Sequence, residues 1–310
     1  MTWRLCESHS RVIEYSIVRY LQSKQPVDDR ALNRHVLDAL QRFVNTTSAT
    51  PRVLELGAGV GTMVSRLADW NVLRRAEYTL VDRDADSLAA ARRHLEAWGK
   101  VTESSMDAIA VEKGDARLDV EFIRADLFEF LAASERRGTY DLVFANAVLD
   151  LTDLTPTLPR IWQVLAPGAA YWFTINFDGE SIFLPEHALD EAVVSLYHAS
   201  MAADAGGTRA GHPQTGRRLL EAIPASGASL VAAGSSDWVV FPKQRQYPGD
   251  EAYFLHHILD FVRGALAAHP RLDPAVLESW LRARHEQVER GELIYLAHQL
   301  DVFGLGPSAA

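Results

Sequence analysis

The chain has 310 residues, 48% of them hydrophobic and 23% charged, with a formal net charge of −10 at pH 7. This suits a globular protein of one large or two small domains. The acidic balance, with no stripe of Lys and Arg to release phosphate counterions, argues against a nucleic-acid track, and the longest apolar run falls far short of the roughly 20 residues a membrane span needs.

The N-terminal MTWRLCESHS lacks a signal-type apolar core, so the expected location is the cytoplasm, with no membrane partner. Its Cys6 has no second cysteine to bridge and no Cys or His neighbours at zinc-site spacing. Helix-spaced apolar residues follow, Val12, Ile13, Ile17 and Leu21, then Leu32, Val36, Leu37, Leu40 and Phe43, predicting two helices divided at SKQPVDD. From 51 to about 177 short β-rich runs, RVLEL, YTLVD, VEFIRAD, YDLVFAN and YWFTINF, alternate with helical stretches such as 84–98 and 154–168. Such alternation predicts βαβ units with right-handed crossovers, hence a doubly wound, mostly parallel α/β sheet. Beyond 178 the rhythm breaks into a helix at 185–203, a Gly-rich stretch at 204–216, a short helix and a strand within SLVAAGSSDWVVFP. Two helices near 250–268 and 274–290 and a closing strand at 291–303 complete the chain.

Within RVLELGAGVGTM, residues 52–63, closely spaced glycines stand between a strand and a helix, where backbone N–H groups can approach a ligand without a Cβ in the way. A dinucleotide fingerprint asks for Gly-x-Gly-x-x-Gly, whereas this chain has Gly57, Gly59 and Gly61 and carries Thr62 where the last glycine belongs. Glu55, just before the glycines, would repel a pyrophosphate and suits an ammonium group. Asp82 ends the next strand and Asp126 the one after. Either aspartate could simply cap the helix that follows it. Three acids just past predicted strands, however, share the ligand-binding edge of one sheet.

In this ordered set the chain resembles the class I S-adenosylmethionine-dependent methyltransferases, whose first motif is an acid, any residue, then Gly-x-Gly-x-Gly; here it reads ELGAGVG. The resemblance covers roughly 50–178 and implies a Rossmann-like methyltransferase fold, with S-adenosylmethionine as cofactor and S-adenosylhomocysteine as product. It implies that Gly57, Gly59 and Gly61, with Ala58 in the same turn, wrap the methionine and ribose, with Glu55 near the bound amino acid. Asp82 would accept from both ribose hydroxyls and Asp126 from the adenine amine, with Leu127 and Arg83 flanking the ring. Asn146 would offer its backbone carbonyl to the methionine ammonium. The late strands at 229–241 and 291–303 fit the family's antiparallel sheet edge, so the chain divides into an N-terminal helical cap (1–50), a cofactor-binding core (51–180), a substrate-side insertion (181–228) and a completion of the sheet with an inserted helical pair (229–305).

The acceptor pocket is expected outside the fourth and fifth strands of that core. Candidate substrate contacts are Tyr15, Arg19, Tyr20, Asn176, Arg209 and Arg217, the last two able to clamp a carboxylate. Candidate bases are His257, Asp178 and Asp150. His187, His198 and His256 fall on polar helix faces, and His298 alternates with Ile294, Leu296 and Leu300 on the inward side of the last strand. No Asn-Pro-Pro-Tyr or Asp-Pro-Pro-Tyr follows the fourth strand, which argues against exocyclic base amines as acceptors. No carboxylate cluster with ligand spacing follows it either, so no metal is expected. The expected function is methylation of a small molecule, at oxygen ahead of carbon or nitrogen. The alternatives are a family-fold enzyme with decarboxylase or cyclase chemistry and a regulatory protein that keeps the cofactor pocket.

Overall fold

The computed structural model describes residues 15–47, 50–202 and 211–308. Its first elements are α1 (Ile17–Ala31) and α2 (Arg34–Val44). The expected break at SKQPVDD is absent: α1 runs through it, Pro26 included, and the chain turns at Leu32 and Asn33 instead. Lys24 and Asp28, one turn apart, form a buried ion pair of 2.6 Å, and Trp238 Nε1 donates to Asp28 at 2.8 Å. These polar residues therefore face inward and anchor the helix on both sides of the proline. Asn33 begins α2 by accepting from the Val36 N–H at 3.2 Å.

The chain continues through β1 (Arg52–Leu56), α3 (Thr62–Asp69), β2 (Arg75–Asp82), α4 (Ala85–Trp98), β3 (Lys100–Ser104), β4 (Ala108–Lys113) and β5 (Ala116–Arg124). Next come α5 (Leu127–Ala132), β6 (Tyr140–Asn146), α6 (Leu154–Val164) and β7 (Leu165–Leu184). The last part holds α7 (Asp190–Met201), α8 (Thr215–Ala225), β8 (Ser229–Ser235), β9 (Trp238–Val240), α9 (Glu251–Leu266), α10 (Pro274–Glu289) and β10 (Ile294–Leu305). All ten strands join one sheet in the order β3-β4-β5-β2-β1-β6-β7-β10-β8, with β9 also on β10. The run from β5 to β7 is parallel, and both flanks are antiparallel.

The central strands are apolar on both faces because both are covered. On one side Val36 and Leu40 of α2, Val64 and Leu67 of α3, and Leu88 and Leu95 of α4 pack beneath Tyr78 and Phe144. On the other, Leu158 and Ile161 of α6 and Leu219 and Ile223 of α8 meet Leu54, Leu56 and Tyr171. The hairpin β3-β4 has no counterpart in the sequence reading, and β3, KVTES, lies almost wholly exposed at the sheet edge. The single strand expected in SLVAAGSSDWVVFP is two, β8 and β9, divided where the Ser236 N–H donates to the Gln299 carbonyl at 2.8 Å.

Between β1 and β6 the strand order reverses, since β1 pairs with β2 on one side and with β6 on the other. Crossovers on the two sides leave opposite faces there, which opens a crevice at the carboxyl ends of these strands.

Candidate active site

A cavity of about 1030 Å3 occupies that crevice. One end of its wall is made of Gly57 and Gly59 after β1, Asp82 and Arg83 after β2, Asp126, Leu127 and Phe128 after β5, and Asn146 at the end of β6. Gly57 and Gly61 have φ of +64° and +67°, where a side chain is strained, and neither has room for one. A Cβ on Gly57 would stand 2.5 Å from Val148 Cγ2, and one on Gly61 2.8 Å from Ala91 Cβ. The turn is therefore pressed between α4 and the segment that follows β6.

Asp82 is fastened at the mouth of the turn: Oδ2 accepts from the Gly59 N–H at 2.8 Å and Oδ1 from the Asp84 N–H at 2.9 Å. Helix α4 is capped by Asp84, which accepts from the Ser87 N–H at 2.9 Å, so capping does not account for Asp82. Asp126 does both things at once, lining the cavity and capping α5 by accepting from the Phe128 N–H at 2.9 Å. Glu55, Ala58 and Gly61 are not on the wall. Ala58 N–H donates to the Val81 carbonyl and Gly61 N–H to the Ala58 carbonyl, each at 3.0 Å, so both hold the turn's shape. Glu55 is only 3% exposed and accepts from the Tyr78 hydroxyl at 2.8 Å. Burial pushes its carboxyl up to about 7, while Tyr78 and the Arg66 guanidinium pull it back and Asp82 adds to the rise.

Residues 54–171 match the model of a methyltransferase domain family. Over this part of the chain the protein is thus similar to a methyltransferase domain. Among solved structures, the YcgJ protein of Bacillus subtilis shares the fold at 12% identity and a TM-score of 0.50, over 89% of this chain and 100% of that one. The chain is also similar to an S-adenosylmethionine-dependent methyltransferase from Thiobacillus denitrificans in complex with S-adenosylhomocysteine (16% identity, TM-score 0.49, 95% and 100% of the two chains). A third is phosphoethanolamine N-methyltransferase 2 of Haemonchus contortus in complex with phosphomonomethylethanolamine and S-adenosylhomocysteine (14% identity, TM-score 0.47). That match covers 94% of this chain but 58% of the Haemonchus enzyme, so the present chain spans little more than half its length. No curated protein matches by sequence.

At the far end of the cavity the protein presents Tyr20 and Lys24 of α1, Asp150 after β6, Tyr197 of α7, and Tyr295 and Gln299 of β10. Trp238, Phe261 and Ile258 add apolar surface. The Lys24 ammonium lies 5.5 Å over the Trp238 ring as well as on Asp28. Asp150 is half-buried, and its Oδ1 has no hydrogen-bond partner among the described residues. Burial pushes its carboxyl up to about 6, with its own backbone N–H and Lys24 pulling it down. Burial also raises the tyrosines: Tyr295 to about 12, with Ser181 opposing, and Tyr20 and Tyr197 in the same direction. All three are neutral hydroxyls at neutral pH.

Of the sequence-predicted acceptor residues that are described, Tyr20 and Asp150 alone are on this wall. Asp178 and Arg217 are engaged with each other: Asp178 Oδ1 accepts from the Arg217 N–H at 2.7 Å and from Nε at 3.0 Å, with His298 Nε2 3.6 Å from Oδ2. The pair ties α8 to β7 and does not reach the cavity. Arg19 is held outside, by two 2.8 Å bonds to Asp250 and by the Tyr253 ring 3.9 Å beneath it. Tyr15 leans on Tyr253 and His257. Asn176 is fully buried and donates to the Leu300 carbonyl at 2.9 Å. Arg209, like Cys6, lies outside the described residues.

The histidines also differ from expectation. His257 stands behind the wall, stacked on Tyr20 at 4.6 Å and edge-on to Phe261, and is no direct base. His256 is not on a polar face: it is buried with its Nδ1 2.8 Å from that of His285, and burial drives both rings down to about 4. His198 is half-buried against Phe177 and bonds Ser181 Oγ at 3.1 Å. His298 points outward, bonded to Asp237 at 2.8 Å, because the inward set of β10 is Tyr295, Ala297 and Gln299. Both faces of that strand carry apolar residues, so the alternation alone left the choice of face open. Lys24, Tyr197, Trp238, Tyr295 and Gln299 were missed; the one available signal was Lys24 and Asp28 at helical spacing beside a proline. Among the described residues no group of three or more His, Cys, Asp or Glu side chains could hold a metal ion, and no helix is long and apolar enough to cross a membrane.

Proposed function

We propose that the domain transfers the methyl group of S-adenosylmethionine to a small molecule held between α1, α7, α9 and β10, with Asp150 as proton acceptor. The observation that carries this reading is one continuous cavity with the turn and its acids at one end and, at the other, a carboxylate oxygen that has no partner among the described residues. Its volume of about 1030 Å3 lies at the upper end of the range of ligand sites, room enough for two molecules end to end. Bound at the turn, S-adenosylmethionine supplies an electrophilic methyl group on a sulfonium.

The chain's own contribution is positional. In this reading Asp82 receives the ribose hydroxyls, Asp126, Leu127 and Phe128 frame the adenine, and Asn146 meets the methionine ammonium, a reading supported by their shared position on the cavity wall; Glu55 acts through the turn it underlies. Aligning two bound reactants can remove roughly 7–11 kcal/mol from a bimolecular barrier. Asp150, raised to about 6, is mostly ionised at neutral pH yet basic enough to take a proton, the compromise general-base catalysis favours. Oxygen, expected from the sequence, and nitrogen both present the need Asp150 answers, a nucleophile that holds its proton.

The test has two parts. Calorimetry should show S-adenosylhomocysteine binding that Asp82→Ala weakens; unchanged affinity would sink the pocket assignment. Mass spectrometry of acceptor mixtures should then show a product heavier by one methylene only when S-adenosylmethionine is supplied.

A further inference from the structure

Resting on that reading of the cavity, we infer that the acceptor is an amine that enters as its ammonium ion and is received by Asp150 within a ring of aromatic side chains. Three buried side-chain atoms on the cavity wall have no partner among the described residues: Asn146 Oδ1, Asp150 Oδ1 and Gln299 Oε1. All three accept hydrogen bonds. Turning either amide over would exchange an acceptor for a donor, but Asp150 has no such freedom. Asp150 Oδ1 is thus an acceptor on the wall that a donor from the ligand would satisfy.

Charge points the same way. Among the described residues the charged side chains at the acceptor end are Lys24 and Asp150, with Asp28 behind Lys24. Lys24 and Asp28 are 8% and 4% exposed and lie 2.6 Å apart, so they cancel each other. Asp150 has no ionic partner among the described residues, leaving one uncompensated negative charge on that part of the wall, a costly arrangement until a cation arrives. Described groups around it include the neutral hydroxyls of Tyr20 and Tyr197 and the His212 N–H, which donates to its backbone carbonyl at 3.2 Å. Tyr20, Tyr197, Trp238, Phe261 and Tyr295 surround the space with ring faces and edges, surfaces that attract an ammonium. A neutral alcohol would give Asp150 one hydrogen bond and no charge. A carboxylate would meet it with like charge.

The step balances. The ammonium gives one proton to the Asp150 carboxylate, and the freed nitrogen lone pair forms the new C–N bond at the methyl carbon. The S–C bond breaks with its electron pair returning to sulfur, and Asp150 releases its proton to solvent. The products are the N-methylammonium, the neutral thioether and one proton.

The test compares phenethylamine, phenylethanol and phenylacetate by calorimetry on the full chain saturated with S-adenosylhomocysteine at neutral pH. The amine should bind about tenfold or more tighter than the alcohol, the acid weakest of all, and Asp150→Asn should erase the preference for the amine. Equal binding, tighter binding of the alcohol or acid, or no binding of the amine overturns the inference. S-adenosylhomocysteine titrated alone tells the failures apart: if it binds and the amine is not preferred, only the acceptor class is wrong; if it does not bind, the methyltransfer reading falls first.

Discussion

Replacing Gly61 by alanine adds one methyl group where the backbone and the neighbouring helix both oppose it. At φ of +67° a residue with a Cβ loses roughly 1–2 kcal/mol relative to glycine. The new Cβ would lie 2.8 Å from Ala91 Cβ and 3.4 Å from Ala91 Cα, against the roughly 3.5–4 Å that carbon atoms prefer. Ala91 belongs to α4 and has no flexible end to swing away, so α3 and α4 must separate, at a cost of about 1–3 kcal/mol. The sum is about 2–5 kcal/mol. Gly114, with φ of +58° and nothing within 4 Å of its missing Cβ, supplies the control: Gly114→Ala carries the backbone cost alone. Urea unfolding of the two variants should differ by the packing part, and S-adenosylhomocysteine affinity should fall in Gly61→Ala only. Equal destabilisation within about 0.5 kcal/mol would refute the argument that the turn is pressed against α4.

Asp82→Asn keeps the shape of the carboxylate but turns one acceptor into a donor, and should weaken S-adenosylhomocysteine by the roughly 1.5–3 kcal/mol of a charged hydrogen bond, read by calorimetry. Lys24→Met leaves Asp28 buried with Trp238 as its remaining partner and should cost about 3–5 kcal/mol in urea unfolding; a change near zero would contradict a buried pair. Asp301 is fully buried, accepts from the Asn33 and Ile175 N–H groups at 2.8 Å each, and is still pushed by burial from 3.8 to about 6. The folded form thus holds the proton longer than the unfolded one, so this contribution is full below about pH 4 and is lost as pH rises to about 6, some 3 kcal/mol in all. Asp301→Asn should flatten that slope in urea midpoints measured across the window. Asp178→Ala should lower the melting temperature by freeing α8 from β7 while leaving S-adenosylhomocysteine affinity unchanged, and a loss of affinity would contradict its placement away from the cavity.

The sequence exposed what depends on local pattern. ELGAGVG, Asp82 and Asp126 sit at strand ends because short apolar runs and helical stretches alternate, and that alternation is visible residue by residue. The acceptor wall was largely hidden because it is assembled from α1, α7, β9, α9 and β10, segments brought together only by the sheet order. His298 shows the difficulty: on a strand with apolar residues on both sides, a one-position error exchanges every inward residue for an outward one, so Tyr295 and Gln299 went unseen. Pro26 misled in another way, since the partner that keeps α1 whole, Trp238, lies 210 positions from Asp28. Asp178 and Arg217 were well placed by distance along the chain, but satisfy each other.

Helix α1 touches both halves of the cavity with neighbouring residues. Leu21 Cδ1 lies 3.0 Å from where a Gly59 side chain would begin, while Tyr20 and Lys24 face the acceptor end. A small roll of this one helix would therefore change the fit at the glycine turn and around the acceptor together. Whatever factor the cofactor adds to the acceptor's affinity by seating α1, the acceptor must return to the cofactor in equal measure, and the helix becomes the place where the two affinities are linked.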